Sequence, residues 1–156
     1  MIKEMTNQIN LIEVALALLQ DEANGDIVAA KAKMDLDHYS MTWMYRTGET
    51  LFPSVQGEML KGVMDEVYEI TDRQYEIMNT AQDANVVFIE MIESYPDLKT
   101  KKEYRTPITL VLEFNDEGKV VRGRHYCDPQ ISHEYLERDI IHNAIGRKPI
   151  LVIKSK

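Results

Sequence analysis

The sequence predicts a single α+β domain, in which helices pack against a strongly bent antiparallel sheet and close a cavity of small-molecule size. Three observations lead to this fold class. The first third has helical periodicity, the second half reads as strands, and one strand is apolar on both faces. The 156 residues, of which 44% are hydrophobic and 28% charged, suit one domain (residues 1–156) that buries its own core.

Three helices are predicted before the hairpins. The first has an apolar stripe at helical spacing, made of Ile9, Ile12, Leu16 and Leu19. Gly25 can end it in the left-handed conformation, and Asp26 can cap a second, shorter helix over about residues 27–34. The third helix is indicated by a stripe of Met59, Val63, Val67 and Ile70.

The remaining segments are predicted as strands, followed by one more helix. Residues 39–46 are rich in aromatic and β-preferring residues and form the first strand. Two hairpins follow: 73–80 with 86–93 around a four-residue polar loop at 82–85, and 104–114 with 119–127 around 115–118. Pro107 inside a strand indicates an edge position or a bulge. Ser132 can cap a helix that runs to about residue 144 and stops at Gly146, and within the tail (145–156) residues 150–153 form a short strand.

The strand at residues 86–92 predicts that the sheet is covered on both sides. It is apolar at every position except Glu90, whereas a strand with one face in water should alternate. We assign the helices to the concave side, which leaves no helix for the convex side. A second copy of the chain is the simplest cover, so the sequence predicts a homodimer through the convex sheet face.

The segment GKVVRGRHYCDP, residues 118–129, resembles the last-strand signature of the SnoaL-like branch of the nuclear transport factor 2-like superfamily. The matching positions are Gly118, Lys119, Val121, Arg122, Arg124, Tyr126, Asp128 and Pro129. The resemblance implies a cone-shaped curved sheet of cystatin-like topology with a pocket at its open end. Relatives include ketosteroid isomerase, limonene epoxide hydrolase, scytalone dehydratase and polyketide cyclases, together with non-catalytic binding domains, so the fold alone selects no reaction.

The sequence departs from the isomerase-like members of this superfamily in two places. Those members carry an acidic general base near the end of the first strand, where this chain has Thr42, Trp43, Met44 and Tyr45. The position before Tyr126, often acidic in the branch, is His125. No carboxylate pair can therefore be transferred from the family.

His125, Glu90 and Tyr45 are the candidate catalytic residues. Glu90 needs a partner or a proton in its apolar strand: it is either a general base with a raised pKa or a structural partner of Arg122 or Arg124. His125 shares a small, mostly apolar strand face with Gly123; it either transfers protons or is a hydrogen-bonded core histidine. Tyr45 would polarise a ligand oxygen.

Four further residues are candidates for ligand binding: Trp43, Tyr75, Tyr104 and Gly123. Aromatic side chains with a polar end often line ligand pockets, and a glycine in a cavity wall leaves room for the ligand. The alternative is that the aromatic residues form core or dimer contacts.

Composition disfavours several other classes of function. The net charge of −8 disfavours nucleic acid, and no apolar run approaches the roughly 18 residues of a membrane helix. The lone Cys127 cannot form an internal disulfide, and no secretory leader is apparent, so we expect a cytoplasmic protein. The four histidines lack ligand spacing and no cofactor motif is present, so we expect neither metal nor cofactor.

The sequence therefore favours a pocket protein that acts on a small, largely apolar, oxygen-bearing molecule, including polycyclic ones. The chemistry would be cofactor-free proton transfer or water addition, of the isomerase, cyclase, dehydratase or hydrolase type. The alternative is a non-catalytic dimeric module that binds a ligand or another protein. One observation separates these two hypotheses: if His125 and Glu90 do not share a connected cavity, the catalytic hypothesis fails.

Overall fold

The computed structural model describes residues 9–44, 55–56, 72–97, 99–128 and 137–156. Within these ranges the chain forms three helices and seven strands. The helices are α1 (Leu11–Asn24), α2 (Ile27–Ala32) and α3 (Arg138–Ile145). The strands are β1 (Ser40–Trp43), β2 (Val55–Gln56), β3 (Gln74–Asp83), β4 (Val86–Pro96), β5 (Glu103–Phe114), β6 (Val120–Tyr126) and β7 (Leu151–Lys154). The third predicted helix and the Ser132 cap lie outside the described residues.

The strands form one curved, mostly antiparallel sheet in the order β2-β1-β6-β5-β4-β3-β7. The pair β1–β6 is parallel and the other pairs are antiparallel. This architecture confirms the predicted α+β class, and β7 confirms the predicted strand in the tail. None of the helices among the described residues is long and apolar enough to cross a membrane.

The boundary between α1 and α2 follows the local sequence chemistry. Gly25 has φ 68° and ends α1 in the left-handed conformation, which glycine adopts without a steric penalty. The side chain of Asp26 accepts a hydrogen bond from the Ala29 amide at 3.0 Å and so caps α2. Both predicted signals are confirmed.

The first hairpin is tighter than predicted. Gln82 and Asp83 remain paired with Val87 and Val86, so only residues 84–85 form the turn. The predicted four-residue loop is wrong because polar side chains do not prevent residues from continuing the backbone ladder of a strand at its exposed end. The second hairpin turns at residues 115–119.

Pro107 occupies a local edge of the sheet, as the sequence predicts. Its register partner in β4 is Ile92, while the β5–β6 pairing begins only at Thr109 and Tyr126. Among the described strands, β5 therefore has one neighbour at Pro107, where a missing amide hydrogen costs little.

The two faces of the sheet are covered by different helices. We call the face packed against α1 the inner face; its core side chains include Ile77, Ile89, Met91 and Leu110. The opposite, outer face carries a smaller apolar cluster of Met78 and Ile92 with Ile141 and Ile145 of α3. Met78 follows the inner-facing Ile77 and therefore points to the outer face, and the register shift between Ile77 and Asn79 places Asn79 on the outer face as well, opposite Glu90.

The position of α3 is the main difference from the sequence-based reasoning, which left no helix for the second side of the sheet. Glu76 on the outer face is buried, and its Oε1 lies 3.1 Å from Nε2 of His142 in α3. Nε of Arg138 in α3 lies 3.7 Å from Oε2 of Glu76, and Nη2 of Arg138 lies 3.3 Å from Oε1 of Glu103. The burial of Ile92 is thus explained by the chain's own helix and requires no second copy.

Candidate functional site

The inner face brings β1, β5 and β6 together around His125. The parallel pairing of β1 and β6 places Trp43 beside His125 and Met41 beside Gly123. On its other side His125 is in register with Leu110, whose side chain belongs to the inner core. His125 therefore lies on the inner face, partly buried, as predicted.

A carboxyl group of α1 faces the same side of the sheet. The hydroxyl of Tyr75 in β3 donates a hydrogen bond to Oε2 of Glu22 at 2.5 Å. Tyr75 is 1% exposed, so its hydroxyl would be costly to bury without this acceptor. Tyr75, a predicted ligand-binding residue, therefore lies on the inner face, but its phenol is engaged by the protein itself.

A buried ion pair lies next to this hydrogen bond. Nη1 of Arg73 is 3.0 Å from Oε1 of Glu93, and both side chains are largely shielded from solvent. Glu93 is in register with Tyr75, and the Arg73 guanidinium lies 5.3 Å from the ring centroid of Tyr95. We refer to Glu22, Arg73, Tyr75, Glu93 and His125 as the inner cluster.

Electrostatics links the members of the inner cluster. Burial raises the pKa of Glu22, against the Tyr75 hydrogen bond and the Arg73 charge, which lower it. Burial also lowers the pKa of His125, while the charge of Glu93 acts to raise it. Burial works to lower the pKa of Arg73, but Glu93 and its other neighbours raise it overall, so the guanidinium stays charged.

This arrangement is suited to general acid–base chemistry. A carboxyl with a raised pKa can keep a proton and donate it to a ligand oxygen. An imidazole with a lowered pKa is neutral at physiological pH and can accept a proton. The Arg73–Glu93 pair supplies a fixed positive and a fixed negative charge on the same face. Because the pair is buried, the electrostatic effect of each charge on nearby groups is stronger than it would be in water.

Glu90 does not belong to this site. It alternates with Ile89 and Met91 along β4 and therefore points to the outer face, away from His125. Its Oε1 accepts a hydrogen bond from Nδ2 of Asn79 at 2.6 Å. The expectation that Glu90 and His125 share a cavity is wrong, because the sheet separates them, and the catalytic hypothesis that used this pair fails with it.

Arg122 and Arg124 do not pair with Glu90 either. Nη1 of Arg124 lies 2.5 Å from Oε1 of Glu113, and Nε of Arg122 lies 4.0 Å from Oε2 of the same residue. The predicted pairing of Glu90 with an arginine is therefore wrong; the side chain of Asn79 is its hydrogen-bond partner.

Gly123 offers no open space to a ligand. A Cβ atom placed there would lie 2.6 Å from Cε of Met41 and 2.9 Å from its Sδ. The prediction that Gly123 lines the cavity is wrong, because the Met41 side chain fills the space that the missing side chain leaves.

The other candidates are distributed around the site. The Tyr104 hydroxyl donates to Oδ2 of Asp97 at 3.0 Å and so supports the β4–β5 connection, while its ring centroid is 5.5 Å from that of Tyr95. Trp43 packs against the inner core next to His125. Tyr45 lies outside the described residues. Burial raises the pKa of the Cys127 thiol to about 11, which makes it a poor nucleophile at neutral pH.

The sequence-based reasoning missed Glu22, Arg73 and Glu93. Glu22 follows Leu18 and Leu19 by four and three residues, so it lies on the apolar stripe of α1, where a carboxylate is unexpected. Because side chains alternate along β4, Glu93 points to the same inner face as Met91. These two signals could have identified the carboxyl groups; nothing in the local pattern identified Arg73 as their partner.

A separate hollow of about 290 Å³ lies at the hairpin turns, near the start of α1. It is lined by Ile9, Leu11, Gln82, Ala84, Asn85, Asn115, Asp116 and Gly118. Among the described residues that line it, Asp116 is the one titratable group, so these residues supply no acid–base pair. Among the described residues no group of three or more His, Cys, Asp or Glu side chains is placed to hold a metal ion.

Solved structures share this fold at low sequence identity. An LEH-like epoxide hydrolase from M. tuberculosis is 15% identical with a TM-score of 0.63, over 87% of this chain and 96% of that one. A SnoaL-like protein from Shewanella putrefaciens CN-32 is 10% identical with a TM-score of 0.66, over 80% and 84% of the two chains. An NTF2-like protein of unknown function from Cytophaga hutchinsonii is 14% identical with a TM-score of 0.59, over 83% and 100%.

Sequence comparison adds no closer relationship. No family model matches the sequence. No curated protein matches it either. Identities of 10–15% carry the architecture and not the chemistry. On this structural evidence the chain has the fold of the SnoaL-like proteins of the nuclear transport factor 2-like superfamily.

Proposed function

We propose that the chain is a pocket enzyme that binds a small, largely apolar, oxygen-bearing molecule on the inner face and catalyses cofactor-free proton transfer or water addition. The observation that carries this proposal is the inner cluster, in which a carboxyl with a raised pKa and an Arg–Glu ion pair share the inner face with an imidazole whose pKa burial lowers. The apolar side chains around it, such as Leu110 and Trp43, suit a ligand with few charges.

The roles follow from the environment of each group. Glu22 holds the proton that a ligand oxygen receives as charge develops on it, and Tyr75 orients that carboxyl. Glu93 is the base that draws a proton from water or from an acidic carbon, and Arg73 fixes its position. His125 is the alternative base, because its lowered pKa keeps it neutral.

The test is a panel of simple cyclic epoxides and unsaturated ketones, incubated with the full chain in ¹⁸O-labelled or deuterated water. Water addition incorporates ¹⁸O, and proton transfer incorporates deuterium; mass spectrometry distinguishes them. Glu93→Gln should reduce the rate by at least about 100-fold, as expected for loss of a general base. The matched control is Glu90→Gln, which changes a carboxyl on the opposite face and should leave the rate unchanged.

Two outcomes would contradict the proposal. Equal rates for the wild type and Glu93→Gln would remove Glu93 from the chemistry. Compounds that raise the melting temperature without turning over, with the effect lost in His125→Ala, would indicate the non-catalytic binding module instead.

We also propose that the chain forms a homodimer through the part of the outer face that α3 leaves open. Phe88 and Tyr126 on that face are each 40% exposed. Aromatic side chains at such exposure are typical anchors of protein interfaces. A sedimentation mass equal to one chain at micromolar concentration would contradict this proposal.

The cytoplasm is the compartment we propose. Cys127 is a free thiol, which a reducing compartment preserves. Cell fractionation tests this directly, and recovery of the protein in an oxidising compartment would contradict it.

A further inference from the structure

Among the described strands, β7 forms one edge of the sheet, and it carries exposed apolar side chains. It pairs with β3 on one side, and no other described strand pairs with it. Ile150, Leu151 and Val152 are 58%, 44% and 44% exposed. A free strand edge offers unpaired backbone donors and acceptors to any extended chain, and proteins usually block such edges.

This edge is held in place before any partner arrives. The Ile150 amide donates to the Ile77 carbonyl at 2.8 Å, and Nε2 of Gln20 in α1 donates to the Lys154 carbonyl at 2.8 Å. The Lys156 amide donates to Oδ1 of Asn24 at 3.0 Å. Because both ends of β7 are fixed, binding of a partner strand would cost little conformational entropy in β7, and little affinity would be lost for this reason.

The charge around β7 is opposite to that of the rest of the chain. Residues 147–156 contain Arg147, Lys148, Lys154 and Lys156, and none of the 26 acidic residues of the chain. Lys148 and Lys154 are exposed on either side of the apolar core of the strand. Two copies of β7 brought edge to edge would repel each other, whereas an acidic partner would be attracted.

We propose that the free edge of β7 binds an extended acidic segment of another protein, which adds to the sheet as one more strand. Lys148 and Lys154 are six residues apart in the sequence; Lys148 precedes β7 and Lys154 ends it, so the two charges flank the apolar residues 150–153. The partner segment therefore has a short core of apolar, β-branched residues with Asp or Glu at each end, about six residues apart. This proposal is independent of the inner cluster, which lies on the face and not at this edge.

The experiment uses the full chain and a fluorescent octapeptide. The peptide has a four-residue core of alternating valine and threonine, with two acidic residues at each end. Fluorescence anisotropy should show saturable binding that weakens as salt is added. The same core flanked by lysines is the control peptide and should not bind. Amide chemical shifts should change at β7 and its β3 neighbours.

A charge exchange makes the test specific. The variant Lys148→Glu/Lys154→Glu should bind the acidic peptide at least about tenfold more weakly, and should now bind the lysine peptide. Both substitutions are at exposed positions, so the variant should keep its fold, which circular dichroism checks.

Several results would overturn the proposal. One is an anisotropy signal that does not saturate with the acidic peptide. Another is a variant that binds both peptides as the wild type does. The third is a set of amide chemical-shift changes confined to residues away from β7. Co-sedimentation with phosphatidylglycerol vesicles in place of peptide binding would assign the surface to a membrane. Self-association that is lost in the variant would assign it to a second copy.

Discussion

The hydroxyl of Tyr75 in β3 lies 2.5 Å from Oε2 of Glu22 in α1, and this hydrogen bond joins the helical layer to the inner face of the sheet. Tyr75 is buried at 1% exposure, and Glu22 carries the carboxyl whose pKa is raised by burial. The bond thus has two consequences, one for stability and one for the protonation of the site.

Tyr75→Phe should lower the free energy of unfolding by about 1–3 kcal/mol, because it leaves the buried carboxyl of Glu22 without its hydrogen-bond donor. Chemical denaturation measures this loss. Tyr104→Phe is the matched control, because its bond to the partly exposed turn residue Asp97 is closer to solvent and should cost less than about 1 kcal/mol. Equal losses in the two variants would contradict the importance of the Glu22 contact.

Compared with the wild type at the same pH, Glu22→Gln should be stabilised more at pH 8 than at pH 4.5. The folded-state pKa of Glu22 is raised above 4.5. The stability that this carboxyl gives to the wild type is therefore present at low pH and is lost as pH rises through the folded-state pKa. Glutamine mimics the protonated carboxyl and removes this loss. The difference in melting temperature between variant and wild type should grow as pH rises; a constant difference would contradict the raised pKa.

The stability contributed by His125 should have the opposite pH dependence. Its folded-state pKa is lowered below 6.5 by burial, so the unfolded chain binds the proton more readily. That contribution is present above pH 6.5 and is lost as pH falls through the folded pKa. An imidazole titration followed by NMR should give a pKa below 6.5, and His125→Gln should reduce the sensitivity to acid. A measured pKa above 6.5 would mean that the Glu93 charge outweighs burial.

Ile92→Ala tests the cover that α3 provides on the outer face. Ile92 is fully buried against Ile141 and Ile145, so its truncation should cost about 2–5 kcal/mol in unfolding free energy. Phe88→Ala removes a side chain of the same face that is 40% exposed and should cost about 1 kcal/mol or less within one chain. A small loss for Ile92→Ala would show that α3 does not pack there.

The fold could be predicted largely because its signals are local. Gly25 and Asp26 specify the end of one helix and the start of the next through their own backbone and side chain, and Pro107 marks a local edge because it lacks an amide hydrogen. The side of the sheet that α3 covers could not be predicted, since it depends on contacts such as Glu76–His142 between residues 66 positions apart.

The site was predicted only in part for the same reason. His125 could be placed by strand alternation, which is local, but its partners come from α1, from β4 and from the residue before β3. Glu90 was the conspicuous carboxylate because it interrupts an apolar run, yet the sheet places it on the other face, with Asn79. Glu93, two alternations beyond Ile89, was less conspicuous and faces the cluster.

The crystal structure of the chain soaked with the panel compound that gives the largest thermal shift tests the central claim most directly. We expect an oxygen atom of that compound to lie within hydrogen-bond distance of Glu22, Glu93 or His125, with its apolar part against Leu110 and Trp43. A compound bound in the hollow beside Asn115 and Asp116, or on the outer face beside Glu90, would contradict it.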